Sequence, residues 1–170
     1  MPEYTRIPLR LHLLRNWGRI IEKISGIPRM QFVKVTPQLF VGGQFRQAGK
    51  KVLMQHGVTA SVNMRIEFDD REHGLDFPDH CYFPTVNDAA PEMEDLIIGA
   101  EAIAGFIQNG GIVYVHCAGG LGRAPTMAAA YLISQGYCLK DAEELIKQTR
   151  PYIGIQTVQM ERLKEFESRY

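Results

Sequence analysis

Cys117 and Arg123 are separated only by Ala118, Gly119, Gly120, Leu121 and Gly122, in the stretch "VHCAGGLGRAP". The three glycines permit backbone angles that a side chain resists, so successive N–H groups can turn inward around one point. Such a ring binds an anion. From Arg123 onward, "RAPTMAAAYLIS" has helix-forming composition, which adds the positive end of a helix macrodipole to the same point. A thiol in such a nest, beside a guanidinium, is expected to be ionised at neutral pH, because comparable thiols titrate at about 3.5–7.5 instead of about 8.5. The same donors would hold a phosphate dianion against the sulfur, and Arg123 could grip two of its oxygens bidentately, which a lysine cannot do. The chemistry implied is nucleophilic attack on phosphorus.

Cleaving a phosphate ester near neutral pH also needs a proton for the departing oxygen. Asp88, in the turn-forming "NDAAP" that follows a strand, is the candidate general acid and base. Asp95 and Asp70 are the runners-up. Standing alone, Asp88 would read as an ordinary turn residue. His116 precedes the nucleophile and is expected to order the loop and lower the thiol pKa through a ring hydrogen bond, with a packed core histidine as the alternative. The expected reaction passes through a cysteinyl phosphate, with the amides of Ala118, Gly119, Gly120, Leu121 and Gly122 binding the phosphoryl group. No metal or cofactor is required, since the guanidinium and the amides take the electrostatic role of a cation.

His116, Cys117, Gly120 and Arg123 fit the His-Cys-x-x-Gly-x-x-Arg signature of the cysteine-dependent protein tyrosine phosphatases, and "GLGRAP" resembles the phosphatases of regenerating liver and some glucan phosphatases. From about Phe32 to the C-terminus the chain is similar to small dual-specificity-type members. The resemblance implies a phosphoric monoester hydrolase in which an aspartate at the position of Asp88 is the acid. It implies phosphotyrosyl protein as substrate, with phosphoserine/threonine tolerance. A phospholipid or phosphoglucan substrate, or a slow enzyme serving mainly as a phosphate-dependent binding protein, are its alternatives. Arsenate-reducing and sulfur-transfer enzymes share a bare Cys-x5-Arg but need neither Asp88 nor a phosphate ester. The chain departs from the family in two places. Ala124 stands where most members have Ser or Thr, and Ile155-Gln156 where many have Pro-Asn; Gln156 or Gln159 is expected to position the hydrolytic water.

The elements that must position this site are legible from periodicity. "FVKV" and "LFVGG" read as two short strands around Thr36-Pro37-Gln38, followed by a helix from about Gln44 to Gly57. "VTASVNM", "CYFPTV" and residues 112–116 read as further strands, with helices over Glu92 to Gln108, from Arg123, up to about Arg150 with Asp141 and Glu144 as a capping pair, and from about Gln156. The expectation is an α/β fold: a mostly parallel twisted sheet with helices on both faces and Cys117 at the carboxyl end of a strand. Residues 65–80 read as a long loop whose acids Asp69, Asp70, Glu72, Asp76 and Asp79 form a solvated face, since their spacing with His73 and His80 fits neither zinc nor calcium.

Lys plus Arg and Asp plus Glu both number 19, so global charge excludes a nucleic-acid partner as the default. Cys81, Cys117 and Cys138 are few and lack metal-ligand spacing, which with the absence of a spanning apolar run argues for a reducing, cytoplasmic setting. A monomer is expected. Cys81 is either a redox partner of Cys117 or an inert strand cysteine, the commoner case. Residues 1–27 read as a basic amphipathic helix appended to a phosphatase domain at 28–170. Its Arg6, Arg10, Arg15, Arg19 and Lys23 alternate with Leu9, Leu13, Trp17, Ile20 and Ile24. Residues 6–24 could contact a membrane surface or partner weakly, or lay the apolar stripe on the domain, as most such helices do.

Overall fold

The computed structural model describes Glu22 and residues 24–170, so the expected contact of residues 6–24 with membrane or domain lies almost wholly outside the described residues. Ile24 and Ser25 are helical, and Gly26 takes φ 64 with its N–H bonded to Glu22 O at 2.7 Å. A left-handed glycine followed by Pro28 is a helix stop.

Four parallel strands form the sheet, β1 (Leu39–Gly42), β2 (Val58–Arg65), β3 (Asp79–Thr85) and β4 (Ile112–His116), in the order β1-β4-β2-β3. Among the described residues five full helices connect and cover them: α1 (Gln47–Gln55), α2 (Met93–Gln108), α3 (Arg123–Ser134), α4 (Leu139–Thr149) and α5 (Thr157–Glu167). The parallel α/β architecture expected from the alternating pattern is present.

Both faces of β1 and β4 are buried, which explains their unbroken apolar runs. Leu39, Val41, Val113 and Val115 enter a core with Leu96, Ile103, Met127, Ile146, Leu163 and Phe166 from α2 to α5. Phe40 and Tyr114 face the other way, into a smaller core with Phe45, Leu53, Leu75 and Phe77. Burying each of these large side chains contributes about 1.5–3 kcal/mol. The α3 helix is buried from Arg123 to Ile133. Its Ala128, Ala129 and Ala130 let the surrounding elements approach closely.

Three expectations need correction. "FVKV" is not a strand: Lys34 makes one antiparallel bridge with Phe40, and a 3-10 turn occupies Met30–Phe32. Thr36 Oγ1 accepts the N–H groups of Gln38 and Leu39, so the tight turn consumes the donors a ladder would use. The helix expected from about Gln44 begins at Gln47, because Arg46 is held extended at φ −117 and ψ −177 with its N–H donated to Gly26 O at 3.0 Å. Asp141 and Glu144 do not cap α4, which starts at Leu139 after Cys138. The Leu139 N–H instead donates to Glu167 Oε1 of α5 at 2.6 Å.

Candidate active site

The loop from Cys117 to Gly122 leaves β4 at its carboxyl end and runs into α3. Its amides face inward because its carbonyls are held outward, one after another, by donors from elsewhere in the fold. Ala118 O accepts the Gln44 N–H, Gly119 O accepts Arg150 Nη2 at 3.3 Å, Gly120 O accepts Arg150 Nε at 3.1 Å, and Leu121 O accepts the Gly154 N–H at 2.8 Å. In a planar trans peptide the N–H points opposite its C=O, so each anchored carbonyl turns the next amide inward. Gly120 N–H accordingly donates to Cys117 Sγ at 3.2 Å. Gly120 sits at φ 63 and packs directly on Gly42 and Arg150, a conformation and proximity that exclude a side chain.

Cys117 and Arg123 are 4% and 2% exposed. Arg123 Nη1 donates to Glu67 Oε2 at 2.8 Å and Thr85 O at 2.8 Å, and Nη2 donates to Glu67 Oε1 at 2.9 Å. The donors left over on Nε and Nη2 have, among the described residues, only the Cys117 sulfur as protein partner. They form the edge a phosphate would take bidentately. Burial works against the charged guanidinium, but the Glu67 hydrogen bonds and the nearby sulfur outweigh it and its pKa is raised. The Arg123 hydrogen bonds bring the Glu67 carboxyl down to about 2, against a smaller opposing effect of burial.

Glu67 belongs to a chain of contacts that reaches the other side of the nucleophile. Arg65 Nε donates to Glu67 Oε1 at 3.0 Å, Arg65 Nη1 to Gln44 Oε1 at 3.0 Å, and Gln44 Nε2 to Asp70 Oδ1 at 2.8 Å. Asp70 Oδ2 lies 2.7 Å from His116 Nε2 with both side chains wholly buried. Asp70 therefore leaves the expected solvated face. Burial pushes its carboxyl up, yet the hydrogen bond and charge of His116 outweigh that and hold it below the usual range. The ring of His116 is directed to the 65–80 loop and not to the loop after it, because strand alternation places it on the Tyr114 face. There it stacks on Tyr114 at 5.7 Å and meets the edge of Phe45 at 5.1 Å.

Asp88 is exposed, in a turn closed by Ala89 N–H to Val86 O at 3.1 Å, and is the sole non-glycine residue at positive φ among the described residues, at 63°. Aspartate tolerates the left-handed region, yet holding one there costs about 1–2 kcal/mol. Two side chains from α5 fix the loop: Gln159 Nε2 donates to Ala89 O and Arg162 Nη1 to Pro91 O, each at 2.9 Å. Gln159 Oε1 accepts the Gln156 N–H in a capping box, so its amide is committed at both ends to structure. Ala124 is fully buried in the first turn of α3. Of the runner-up acids, Asp70 is buried against His116, and Asp95 lies in the first turn of α2 with its carboxyl pushed up by burial.

Cys81 is far from the nucleophile. It registers with Val62, which registers with Val115, so it stands two strands, about 10 Å, from the strand that carries Cys117. A disulfide needs Cα atoms within about 7 Å. Among the described residues no group of His, Cys, Asp or Glu could hold a metal ion. Reasoning from sequence missed Glu67, Arg150 and the anchoring role of Gln159. A loop that needs outward donors for four carbonyls is itself a signal for a buried arginine, but nothing in the sequence says which one.

Residues 39–169 match the family model for the dual specificity phosphatase catalytic domain. The chain belongs to the dual specificity phosphatase family. It is 28% identical over 141 residues to human dual specificity protein phosphatase 1, covering 80% of this chain and 37% of that protein. It is 39% identical over 77 residues to rat phosphatidylglycerophosphatase and protein-tyrosine phosphatase 1, covering 45% of this chain and 40% of that one. The chain thus spans well under half the length of these relatives. The structure of PTPMT1 in complex with PI(5)P superposes with a TM-score of 0.72 at 25% identity, covering 79% of this chain and 93% of that one.

Two predictions follow from the anchoring. Arg150→Met strands three carbonyls in a buried place, since Arg150 Nη1 also donates to Phe32 O at 2.6 Å. At about 1–3 kcal/mol for each unsatisfied group, thermal denaturation should show a loss of several kcal/mol, and orthovanadate affinity should fall at least tenfold at a temperature where the variant is folded. Glu67 has its folded pKa depressed, so its contribution to stability is present above about pH 4.5 and is lost as pH falls through about 2. The stability gap between wild type and Glu67→Gln, measured in urea at each pH, should be flat from pH 5 to 8 and close below pH 4.

Proposed function

We propose that this protein is a metal-independent phosphoric monoester hydrolase with a cysteinyl-phosphate intermediate, and the observation that carries the proposal is the ring of inward amides with the Cys117 sulfur at its centre and the unfilled edge of Arg123 beside it. The Cys117 thiolate attacks phosphorus, forming the S–P bond as the P–O bond of the ester breaks. Asp88 passes its proton to the departing oxygen. Water then attacks the phosphocysteine, Asp88 takes its proton, and the S–P bond breaks to release phosphate and the thiolate. The loop amides and Arg123 stabilise the charge spread over the equatorial oxygens in both steps. Glu67 fixes the guanidinium plane, and Arg150 keeps the amides aimed. His116 orders the 65–80 loop through Asp70.

Ala118, Gly119, Gly120, Leu121 and Gly122 bring no charged side chain to the phosphate, so the loop reads a phosphoryl group and little else. A phosphotyrosyl protein, with tolerance for phosphoserine and phosphothreonine, is accommodated by such a loop. The rat relative's name, which pairs phosphatidylglycerophosphatase with protein-tyrosine phosphatase, supports phospholipid as a further class, and the resemblance of "GLGRAP" to glucan phosphatases supports phosphoglucan. With alanine at 124, the departing sulfur lacks the hydroxyl donor that a serine or threonine there would add, and the intermediate is expected to persist. The domain assigned to this activity is residues 28–170, in a cytoplasmic protein acting as a monomer.

With p-nitrophenyl phosphate, Cys117→Ser should abolish turnover. Asp88→Asn should retain orthovanadate binding while kcat falls by about 10²–10⁴; an unchanged kcat would move the acid elsewhere. Rapid mixing of wild type should give a burst of nitrophenol near one equivalent before a slow steady rate, and Ala124→Ser should raise the steady rate and shrink the burst.

A further inference from the structure

Two large apolar side chains beside the phosphate loop are left in solvent. Ile66 and Val86 are 52% and 57% exposed, and they follow directly on the carboxyl ends of β2 and β3, which are in register at Arg65 and Thr85. The Ile66 N–H donates to Thr85 O at 3.4 Å, so the two backbones stay together past the strands. Each is joined in the chain to a group that holds Arg123. Glu67 follows Ile66 and accepts from both terminal nitrogens, and Thr85 precedes Val86 and offers its carbonyl to Nη1 at 2.8 Å. Asn63 registers with His116, so Met64 stands level with Cys117 and Ile66 two residues beyond it. At about 3.3 Å per residue along a strand and about 4.8 Å between strands, Ile66 lies about 8 Å from Cys117 and Val86 about 12 Å, outward from the sulfur. Val86 O also closes the Asp88 turn by accepting the Ala89 N–H at 3.1 Å. The pair therefore stands where the rest of a substrate must pass once its phosphoryl group is in the loop.

The charges around this pair narrow what it can receive. Residues 86–91 and 118–122 contain no lysine or arginine. Arg65 and Arg123 are both tied to Glu67, and Arg162, from α5, to Pro91 O and Glu92. The Arg123 hydrogen bonds keep Glu67 ionised at neutral pH. An acidic residue beside the phosphorylated one would find no cation to itself, and it would face Glu67 and the bound phosphate, both of its own sign. An apolar one would cover Ile66 and Val86 and remove their surface from water. We infer that Ile66 and Val86 are specificity-determining residues which together seat the side chain next to the phosphorylated residue, so that the preferred substrate is a phosphopeptide whose neighbouring residue is apolar and not acidic. The inference rests on the hydrolase reading with a phosphoprotein substrate, and adds to it which sequences are taken.

Steady-state kinetics on the full chain, with p-nitrophenyl phosphate and with phosphotyrosyl peptides that differ only in carrying Leu, Ala or Glu on either side of the phosphotyrosine, separates the outcomes. The expected kcat/KM for the Leu peptide is about fivefold above that for Ala, as partial burial of a leucine side chain supplies, and at least about tenfold above that for Glu, through KM. Replacing both Ile66→Ser and Val86→Ser, at exposed positions where substitution changes stability little, should bring the Leu-to-Ala ratio to about one. The conservative pair Ile66→Val and Val86→Ile should keep it. Val86→Lys should raise the Glu peptide at least about fivefold relative to Leu. Equal kcat/KM for the three peptides, a preference for Glu, or no hydrolysis of any peptide, with p-nitrophenyl phosphate still turned over, overturns the apolar seat and leaves the hydrolase reading standing. A Leu preference that survives the double Ser variant, or a Glu discrimination that Val86→Lys leaves unmoved, overturns the assignment to these two residues. Failure to turn over p-nitrophenyl phosphate overturns the hydrolase reading instead. Calorimetry of the same peptides on Cys117→Ser then tests the seat by itself: Leu bound no tighter than Glu sinks it.

Discussion

The outward tethering of the carbonyls of residues 118–121 is the constraint on which the rest of the structure turns. An inward ring of amides is electrostatically unfavourable when empty, since like dipole ends converge, and a glycine-rich loop has many ways to relax it. Four hydrogen bonds from Gln44, Arg150 and Gly154 remove that freedom. They come from the β1–α1 connection, the end of α4 and the turn before α5, so the loop is shaped only when β1, β4 and the last two helices are docked. The site is therefore a tertiary product, and its preorganisation is the kind from which catalysis at phosphorus draws its stabilisation.

The two buried arginines divide the work. Arg150 has all its bonds to carbonyl oxygen, at Phe32, Gly119 and Gly120, and so acts as a brace. Arg123 has one edge tied to Glu67, Thr85 and Met64 and one edge toward Cys117. Leaving a buried cation unpaired is expensive. Glu67 meets that cost for Arg123 without occupying its working edge, and its own side chain stays 40% exposed, which lowers the desolvation penalty of the pair. Arg65, Gln44 and Asp70 then link this pair to His116, so the residues on either side of the nucleophilic loop are held by one polar network crossing the 65–80 loop.

Sequence periodicity read the parallel sheet, its four strands and the five helices of the described residues with small errors at the ends, because each buried strand is an unbroken apolar run and each helix keeps one apolar stripe. Cys117, Arg123 and the glycine ring were legible for a different reason: they are contiguous, and their chemistry follows from spacing along the chain. What could not be read were partnerships made across the fold. Glu67 and Arg123 are distant in sequence and adjacent in space, as are Arg150 and Phe32. Asp70 looked like one acid among several on a polar loop, and only its burial distinguishes it. The late start of α1 has the same origin, since Arg46 is held extended by a contact across the fold, its N–H on Gly26 O.

A loop lined by backbone amides binds any phosphoryl group with about equal ease, because every donor points at the oxygens and none at the alcohol. Discrimination between substrates must then come from the walls. The Asp88 turn is held by Gln159 and Arg162, and its flanking Val86 is exposed and offers apolar contact without charge. A cavity of about 830 Å³ lined by Arg46 and Arg65 meets the same loop at Ala118 and Gly119. Arg65 lines that cavity and also donates to Glu67, which in turn holds the Arg123 guanidinium.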